Sequence, residues 1–427
     1  MNERPNIVLI TCHDLGQHLC CYGIPSVRTE TIDGLAQSGV RFATSFCTSP
    51  GCSPSRAALA TGRYPHNNGV MGLAHAHFGW QLGPDEWHLA ALLAEGGYQT
   101  ALFGLQHVTY NIEHLGFNEI LPERPADAVA QNLEEFLQSG NANSPFYFEV
   151  NFFEPHRPYD FGGVSPDYTN GVYVPGFLPE NQECRDELAA MQGAIHKVDA
   201  SIERLVAALK SAGQYDNTLI LFTADHGIAF PRAKCTLYDP GIETALIMNW
   251  PASEFGGQTR NELISNIDIA PTLLEAAELE IPDRIMGRSF WPLLTDGDYE
   301  GNEEIFAEKT FHGIYDPVRC VRTQTHKLIV NFDGSHTPDV PGDIIVGGTY
   351  QTMAKDIART RTRFELYDLD ADPWEKNNVA GNQEFSEIET DLKHRLFVWM
   401  QDTEDPLLEG PVPSPHYEMT LAILADT

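Results

Sequence analysis

The chain has 427 residues, with 60 Asp and Glu against 27 Lys and Arg, which gives a formal net charge of −33. A hydrophobic content of 42%, including 22 Phe, 15 Tyr and 6 Trp, supports a buried core and argues against disorder. The acidity disfavours non-specific binding to nucleic acid or to an anionic membrane, because both attract basic surfaces. At this length the chain forms one large domain with an appendage, or two domains.

The sequence contains no clear targeting or membrane-spanning segment. No apolar run reaches the roughly 18 residues of a membrane span. Met1–Pro5 leads directly into the strand-like run Asn6–Ile10, so no signal peptide is visible and we expect a cytoplasmic protein. The eight cysteines include no Cys-x-x-Cys pair, and we expect most of them to be reduced thiols.

Short apolar runs alternate with helical stretches along the first 300 residues. The predicted strands are Asn6–Thr11, Val40–Phe46, Tyr98–Phe103, Pro145–Phe153, Thr218–Thr223 and Glu243–Asn249. The predicted helices are Thr31–Ser38, Pro54–Thr61, His88–Glu95, Ala126–Leu137, Glu187–Leu209 and Ile269–Glu278. This alternation predicts a mainly parallel sheet with helices on both faces. Chemistry in such sheets gathers at the carboxyl ends of strands, where His13-Asp14 and Asp225-His226 both fall.

The pattern changes near Glu304, where short predicted strands follow one another with few helices between them. These strands are Ile305–Ala307, Arg319–Arg322, His326–Asn331 and Glu365–Leu369, and a closing helix covers Glu384–Met400. We therefore predict a larger domain over residues 1–303 and a small antiparallel subdomain with a tail over residues 304–427. The segment after Glu409 is rich in proline and is predicted to be a loop.

One short segment carries a distinctive combination of residues, Gly51-Cys52-Ser53-Pro54-Ser55-Arg56. A thiol at the start of a helix lies in a positive field that favours the thiolate and bound anions. Arg56 follows one helical turn later and can contact the same group. From position alone, a buried cysteine before a helix with a surface arginine is an equally good interpretation.

The motif Cys-x-Pro-Ser-Arg at Cys52–Arg56, with Thr61-Gly62 following, resembles the signature of the sulfatase family. In that family the cysteine is oxidised to formylglycine, and the hydrated aldehyde is the nucleophile. Gly51 and Ala60 depart from the signature, since the family usually has larger apolar residues there. Further similar stretches are Pro5–Ile10, Asp225-His226-Gly227, Phe230–Lys234, Asp268–Leu274, Val321-Arg322-Thr323 and Leu366–Leu369, so the resemblance spans nearly the whole chain.

Within the family the chain looks most similar to the heparan N-sulfatase (sulfamidase) branch, on Cys52–Arg56, Pro155-His156-Arg157-Pro158 and Tyr315–Arg319. The resemblance implies an alkaline-phosphatase-like α/β/α sandwich with a mostly parallel central sheet. It also implies a smaller C-terminal subdomain with an antiparallel sheet and a helix.

The resemblance implies a site for one divalent metal ion, usually Ca²⁺. Sulfatases hold it through two adjacent Asp residues after the first strand and a later Asp-Asn or Asp-His pair. Asp14, Asp225 and His226 match this pattern and Cys52 joins them, whereas His13 replaces the first Asp. Two imidazoles suit Mn²⁺, Zn²⁺ or Fe²⁺ better than Ca²⁺, and with the family's usual preference included we expect Ca²⁺ or Mn²⁺. The alternative for His13 is a hydrogen-bonded residue behind the ligands.

The resemblance also assigns residues around the sulfate. Where the family has Gly-Lys-x-His, this chain has Gly104-Leu105-Gln106-His107, so His107 matches and Gln106 is a candidate neutral donor in place of the lysine. His156 and Lys234 match the family's pair on the leaving-group side. His75, His77 and His312 are further candidate substrate contacts, and each has a structural role as its alternative.

These matches imply a reaction scheme for the family. The hydrated formylglycine from Cys52 attacks sulfur while the metal and Arg56 offset charge on the sulfuryl oxygens. His156, assisted by Lys234, protonates the leaving group. His107 then removes a proton from the second hydroxyl, the aldehyde reforms and sulfate leaves.

The expected function is hydrolysis of a sulfate ester or sulfamate on a small sulfated substrate, a sugar or an aryl ester, after maturation by a formylglycine-generating enzyme. Homo-oligomerisation stays open. One alternative is a phosphonate monoester hydrolase or phosphodiesterase of the same superfamily, whose Asp-His pair and unpaired first Asp this chain shares. Another is an inactive binder of sulfated glycans that keeps Cys52 as a thiol, against which the acidity argues.

Overall fold

The structure is a computed structural model that describes residues 4–74, 78–253, 255–295, 297–333, 338–358 and 361–425. Its strands are β1 Asn6–Cys12, β2 Val40–Phe42, β3 Ser45–Phe46, β4 Gln99–Gly104, β5 Glu119–Leu121, β6 Phe146–Asn151, β7 Thr218–Ala224, β8 Leu246–Asn249, β9 Gln258–Arg260, β10 Ile264–Ser265, β11 Glu304–Phe311, β12 Tyr315–Thr323, β13 His326–Asn331 and β14 Phe364–Asp368.

The helices lie between and after these strands. They are α1 Glu30–Ser38, α2 Cys52–Thr61, α3 Pro65–Asn68, α4 Leu89–Glu95, α5 Ala126–Gln138, α6 Gln182–Ser211, α7 Asp239–Ile242, α8 Ile269–Ala276, α9 Gly342–Ile345, α10 Gly348–Ile357, α11 Ser386–Asp402 and α12 Pro415–Ala425. None of the helices in the described ranges is both long enough and apolar enough to cross a membrane.

Eight strands form the central sheet in the order β5-β4-β6-β1-β7-β8-β2-β9. Strand β8 runs antiparallel to both of its neighbours, and the other strands of this sheet run parallel to one another. Four strands form a separate antiparallel sheet in the order β11-β12-β13-β14. The predicted fold class, a mostly parallel sheet with a smaller antiparallel subdomain, is confirmed.

The strands of the central sheet are buried on both faces because helices cover each side. Along β1, Val8 and Ile10 pack into one apolar cluster with side chains of α5 and α6. Ile7 and Leu9 point to the opposite face and pack with side chains of α4 and α8. The alternation of side chains along an extended strand therefore divides one apolar run between two cores.

Three predicted elements differ in the structure. The predicted strand Val40–Phe46 is interrupted, because β2 joins the central sheet and β3 pairs with β10 in a two-stranded sheet. Helix α6 begins five residues before its predicted start, where the Asn181 side chain accepts a hydrogen bond from the amide of Cys184. The loop predicted after Glu409 gives way to α12, with Pro415 as its first residue.

The antiparallel sheet packs between side chains of the larger domain on one face and α11 on the other. One of its faces packs on Phe46, Leu237 and Ile242 through Ile305, Val318 and neighbouring side chains. Its other face packs on Leu392, Leu396 and Trp399 of α11. This sheet begins at Glu304, and the domain boundary drawn between residues 303 and 304 stays a prediction.

A buried ion-pair network ties this sheet to the chain after α11. The Arg319 side chain is fully buried, and its Nε lies 2.6 Å from Oδ2 of Asp405. Its Nη2 lies 3.2 Å from Oε2 of Glu308, whose Oε1 is 2.9 Å from Nδ1 of His66. Buried carboxylates need charged or hydrogen-bonding partners, and the guanidinium serves both of these, together with His66 in the case of Glu308.

We therefore expect Arg319→Met to lower the free energy of unfolding by about 3–5 kcal/mol, since it removes the guanidinium that pairs with two buried carboxylates and leaves Glu308 with His66 alone. Urea unfolding followed by tryptophan fluorescence measures the change. The control is Arg395→Met, which removes partly exposed ion pairs with Glu304 and Asp391 and should cost about 1 kcal/mol or less. Equal costs for the two variants would contradict the network.

Candidate active site

The site forms where β1 and β7 end side by side. Their register pairs Cys12 with Ala224, so the residues that follow the two strands emerge at the same edge of the sheet. Asp225 holds the two ends together, because its Oδ1 accepts hydrogen bonds of 2.9 Å from the amides of both Asp14 and His226. Asp14 has a φ of 49°, which turns the chain sharply as it leaves β1.

Helix α2 brings Cys52 to this edge. Every residue of α2 is buried, and Cys52 is its first residue. The hydroxyl of Ser55 donates to the backbone carbonyl of Asp225, and the side chain of Asn266 donates to the carbonyl of Ser55 at 3.0 Å. These bonds fix the first turn of α2 against the end of β7.

Side chains from the two strand ends and α2 converge on one small volume. Nε2 of His226 lies 3.1 Å from Oδ1 of Asp14 and 3.3 Å from Sγ of Cys52. Nδ1 of His13 lies 3.0 Å from Oδ2 of Asp225. Ligand atoms of Asp14, Cys52, Asp225 and His226 all lie within 4.8 Å of one another, so they are close enough to share one metal ion.

The hydrogen bonding of this cluster fits a divalent cation. Nδ1 of His13 and Oδ1 of Asp14 are buried and, despite close neighbours, lack an aligned hydrogen-bond partner. Nδ1 of His226 donates to the carbonyl of Gly227 at 2.9 Å, which leaves Nε2 facing the cluster. The carboxylates of Asp14 and Asp225 and the imidazole of His226 form a mixed donor set, and the imidazole of His13 lies against it, which suits a transition metal.

Charges around the cluster shift its pKa values strongly. Burial opposes ionisation of the Cys52 thiol, but Lys234, His13 and His226 more than offset it and lower its pKa to about 6. Burial likewise opposes the Asp14 carboxylate, and Lys234 nevertheless holds the pKa of Asp14 well below its usual range. The surrounding positive charges therefore stabilise the ionised forms of Cys52 and Asp14.

Arg56 lies on one side of Cys52. Its Nε donates to Oδ2 of Asp225 at 3.1 Å, and its Nη2 is buried without a hydrogen-bond partner. A guanidinium nitrogen that is buried and unpaired is costly, so it needs an anionic partner. This geometry suits the predicted contact between Arg56 and a sulfuryl group.

His156 and Lys234 lie on the other side. Nζ of Lys234 is 2.8 Å from Oδ2 of Asp14 and 3.3 Å from Nε2 of His156. Nδ1 of His156 donates to the carbonyl of Arg157, so Nε2 accepts from Lys234. Burial and Lys234 lower the pKa of His156 to about 4. The two predicted leaving-group residues are thus joined directly.

A cavity of about 310 Å³ opens above Cys52. The residues that line it are Cys52, Leu73, Phe78, His107, His156, Lys234, His312, Gly313, Val340, Pro341, Gly342 and Asp343. The structure thus brings His107 and His312 to the same cavity as Cys52. Nδ1 of His312 is buried there without a hydrogen-bond partner.

The structure does not place the other candidate substrate contacts, Gln106, His75 and His77, in this cavity. The amide of Gln106 is turned onto its own loop, where it donates to the carbonyl of Thr109 at 2.6 Å and accepts from the amides of Val108 and Thr109. Gln106 does not line this cavity but lines a smaller pocket together with Arg56 and His107, and its contact with sulfate stays a prediction. His75 and His77 lie outside the described residues.

Asp343 was missed by sequence reasoning. Its Oδ2 lies 3.0 Å from Nζ of Lys234 and 4.0 Å from Nε2 of His156. It belongs to the four-residue helix α9, in a stretch without a recognisable motif. Only the tertiary contact with Lys234 reveals it, and no local signal in the sequence could have.

Family comparisons agree with this geometry. A family model described as Sulfatase matches residues 5–279, which is more than half of the chain. The chain is a member of the sulfatase family. A model described as the C-terminal part of N-sulphoglucosamine sulphohydrolase matches residues 226–338 of this sulfatase. The resemblance to the family and to its sulfamidase branch is confirmed.

Curated relatives match over nearly the whole length of the sulfatase. An ulvan-active sulfatase of Formosa agariphila is 30% identical over 97% of this chain and 84% of its own length. Human N-sulphoglucosamine sulphohydrolase is 28% identical over 96% of this chain and 92% of its own length.

Solved structures share the fold. A protein solved in complex with D-glucosamine-2-N,6-O-disulfate has a TM-score of 0.74 at 20% identity, over 94% of this chain and 99% of that one. A phosphonate monoester hydrolase of Agrobacterium radiobacter has a TM-score of 0.72 at 22% identity, over 94% and 96% of the two chains. At these identities the likeness concerns the fold alone.

The donor set predicts metal selectivity. We expect the chelator-treated protein to bind Mn²⁺ at least about tenfold more tightly than Ca²⁺, because two imidazoles favour the transition metal. His13→Asp should shift the preference towards Ca²⁺. Titration calorimetry with each metal salt measures both affinities.

The matched control is His114→Asp, an exposed residue of the short 3-10 helix Ile112–Leu115 and not a member of the cluster, which should leave the ratio of affinities unchanged. Tighter binding of Ca²⁺ than of Mn²⁺ by the unsubstituted protein would show that His13 is not a ligand.

Proposed function

We propose that this protein hydrolyses a sulfate ester or sulfamate on a sugar, with Cys52 converted to formylglycine and a divalent cation held by His13, Asp14, Asp225 and His226. The observation that carries the proposal is the position of Cys52. Its Sγ lies 3.3 Å from Nε2 of His226, inside the donor cluster and at the floor of the cavity. Family membership and relatives named for sulfated sugars support the same conclusion.

The groups that are absent from the structure have defined roles in this proposal. A formylglycine supplies two hydroxyls when hydrated, one for attack on sulfur and one whose deprotonation releases sulfate. A divalent cation supplies positive charge beside the sulfuryl oxygens. The residues of the chain bind and orient the substrate around these two groups.

Arg56 binds the sulfuryl oxygens in this scheme. Its Nε is fixed by Asp225 at 3.1 Å, which orients the guanidinium plane, and its Nη2 is buried without a hydrogen-bond partner. A donor that is oriented before the reaction stabilises developing charge without the cost of reorganisation.

Lys234 and His156 act on the leaving group. Burial opposes the ammonium, but Asp14, Cys52 and Asp343 keep the pKa of Lys234 well above its ordinary value, so it carries a proton at neutral pH. Lys234 donates to Nε2 of His156 at 3.3 Å, which gives the proton a path towards the leaving oxygen or nitrogen through either group.

His107 lines the same cavity as His156. Its ring centroid is 6.0 Å from that of His13, and the His107 side chain lines the cavity with Cys52. This position suits the expected removal of a proton from the second hydroxyl after sulfuryl transfer.

A phosphonate monoester hydrolase is the second candidate, and the His13 side chain favours it. An imidazole stands where sulfatases of this family usually have a carboxylate, and the fold is shared with a phosphonate monoester hydrolase. Both reactions transfer a tetrahedral anion, so the same residues serve either one.

Peptide mass spectrometry tests the modification. Protein produced with a formylglycine-generating system is alkylated and digested, which gives the tryptic peptide Phe42–Arg56 with Cys47 and Cys52. We expect Cys52 to have lost its sulfur as an aldehyde. Cys47 lies in the same peptide outside the donor cluster, and it should alkylate fully as the internal control. Full alkylation of both would overturn the formylglycine mechanism.

The variant Cys52→Ser should lose turnover by at least about 10³-fold, because one hydroxyl can attack sulfur but cannot release it. The release of inorganic sulfate from a sulfated glucosamine measures it. Full activity in this variant would exclude the proposed scheme.

Substrate comparison separates the two candidates. We expect the sulfate ester of 4-nitrophenol to be hydrolysed with a higher kcat/KM than the phosphate monoester or phenylphosphonate of the same phenol. The reverse order would favour the phosphonate hydrolase.

A further inference from the structure

The leaving-group wall of the cavity carries the Asp343 carboxylate, which the scheme above uses only as an ion-pair partner of Lys234. We propose that Asp343 is a specificity-determining residue that accepts a hydrogen bond from a hydroxyl or amino group of a sugar leaving group. This inference rests on the sulfatase activity proposed above. It assigns the sulfatase to sugar sulfates rather than aryl sulfates.

The geometry places Asp343 beside the departing group. Its Oδ2 lies 3.0 Å from Nζ of Lys234 and 4.0 Å from Nε2 of His156. A leaving atom that is close enough to receive a proton from either residue has its neighbouring substituents next to Asp343. The Asp343 side chain is 22% exposed, so one face of the carboxylate remains open to the cavity.

The segment that carries Asp343 is fixed at both ends. At the start, the Asp339 carboxylate accepts hydrogen bonds from the amides of Gly313 and Ile314, at 2.9 and 3.2 Å. At the end, the Glu187 carboxylate accepts a bond of 2.7 Å from the amide of Gly348. These contacts hold α9 against the cavity.

Glu187 also ties this segment to His156. Arg157, the residue after His156, donates to Glu187 through Nη1 and Nη2 at 3.2 Å each. Nε of Arg157 donates to the carbonyl of Ala229 at 2.9 Å. Through Glu187, these hydrogen bonds fix the distance between His156 and Asp343. A recognition site needs such a fixed distance between its groups.

Hydrogen-bonding capacity makes Asp343 selective. A sugar presents hydroxyl or amino groups on the carbons next to the sulfated position, and each can donate to the carboxylate. A phenol has no such donor, so its ring would cover Asp343 without satisfying it. Sites with buried polar groups reject analogues that lack the matching donor. A second anionic substituent at this position would be repelled.

The experiment has to distinguish sugar binding by Asp343 from a second role. In that second role, the ion pair between Asp343 and Lys234 holds the lysine in position for proton transfer. The two roles predict different responses to leaving-group acidity. Loss of proton delivery harms a poor leaving group much more than a good one. Loss of a sugar contact leaves all aryl esters equally unaffected.

The experiment compares Asp343→Asn with the unsubstituted enzyme on three substrates: glucosamine carrying a single N- or O-sulfate, phenyl sulfate and 4-nitrophenyl sulfate. We expect kcat/KM for the sugar to fall by about tenfold or more, since Asn replaces a charged acceptor. Both aryl esters should change by less than about twofold and by the same factor. Asp356→Asn, on α10 outside this cavity, is the matched control and should change none of the three.

Several results would overturn the proposal. A much larger loss on phenyl sulfate than on 4-nitrophenyl sulfate would assign Asp343 to the positioning of Lys234. An unchanged rate on the sugar, or a wild type active only on aryl sulfates, would also refute the assignment. Failure of the wild type on all three sulfates would instead refute the sulfatase activity itself. Asp343→Ser repeats the test should Asp343→Asn not fold.

Discussion

The carboxylate of Asp225 is the constraint on which the site depends. Its Oδ1 accepts hydrogen bonds from the amides of Asp14 and His226. Its Oδ2 accepts a hydrogen bond from Nε of Arg56 and lies close to Nδ1 of His13. The backbone carbonyl of the same residue accepts a hydrogen bond from the hydroxyl of Ser55. Two strand ends and one helix are thereby joined through a single residue. Such a carboxylate could not be replaced by an amide without breaking both charge balance and hydrogen bonding.

The placement of cations follows from the same requirement. The protein has few basic residues for its size, yet Lys234, Lys309, Arg319 and Lys327 are each at most 3% exposed. Each of them compensates buried carboxylates at the sheet edge or in the C-terminal subdomain. The surface is left strongly acidic, so attraction of a sulfated substrate has to come from the inside of the cavity rather than from the exterior.

Sequence patterns could predict the parts of the structure that depend on local chemistry. The buried runs before His13 and Asp225, and the order Cys52 to Arg56 on one helix, require only strand periodicity and one helical turn. The antiparallel direction of β8 could not be predicted in this way. It depends on which neighbours complete the sheet, and an apolar run reads the same in either direction.

The residues of the candidate site likewise differ in whether the sequence could predict them. His107, His156 and Lys234 could be predicted because each lies in a recognisable motif, and the structure gathers all three near Cys52. Gln106 was expected to face the sulfate, but hydrogen bonds within its own loop compete for its amide. Asp343 comes from a segment without a motif and reaches the site only through long-range packing.

The burial of α2 determines whether Cys52 can be modified before or after the chain folds. All ten residues of α2 are buried, and Cys52 is only 3% exposed. Another protein large enough to oxidise the thiol cannot reach Sγ once this helix has packed between the sheet and α8. Any enzymatic conversion of Cys52 therefore belongs to the nascent or unfolded chain, and the speed of folding sets the time that is available for it.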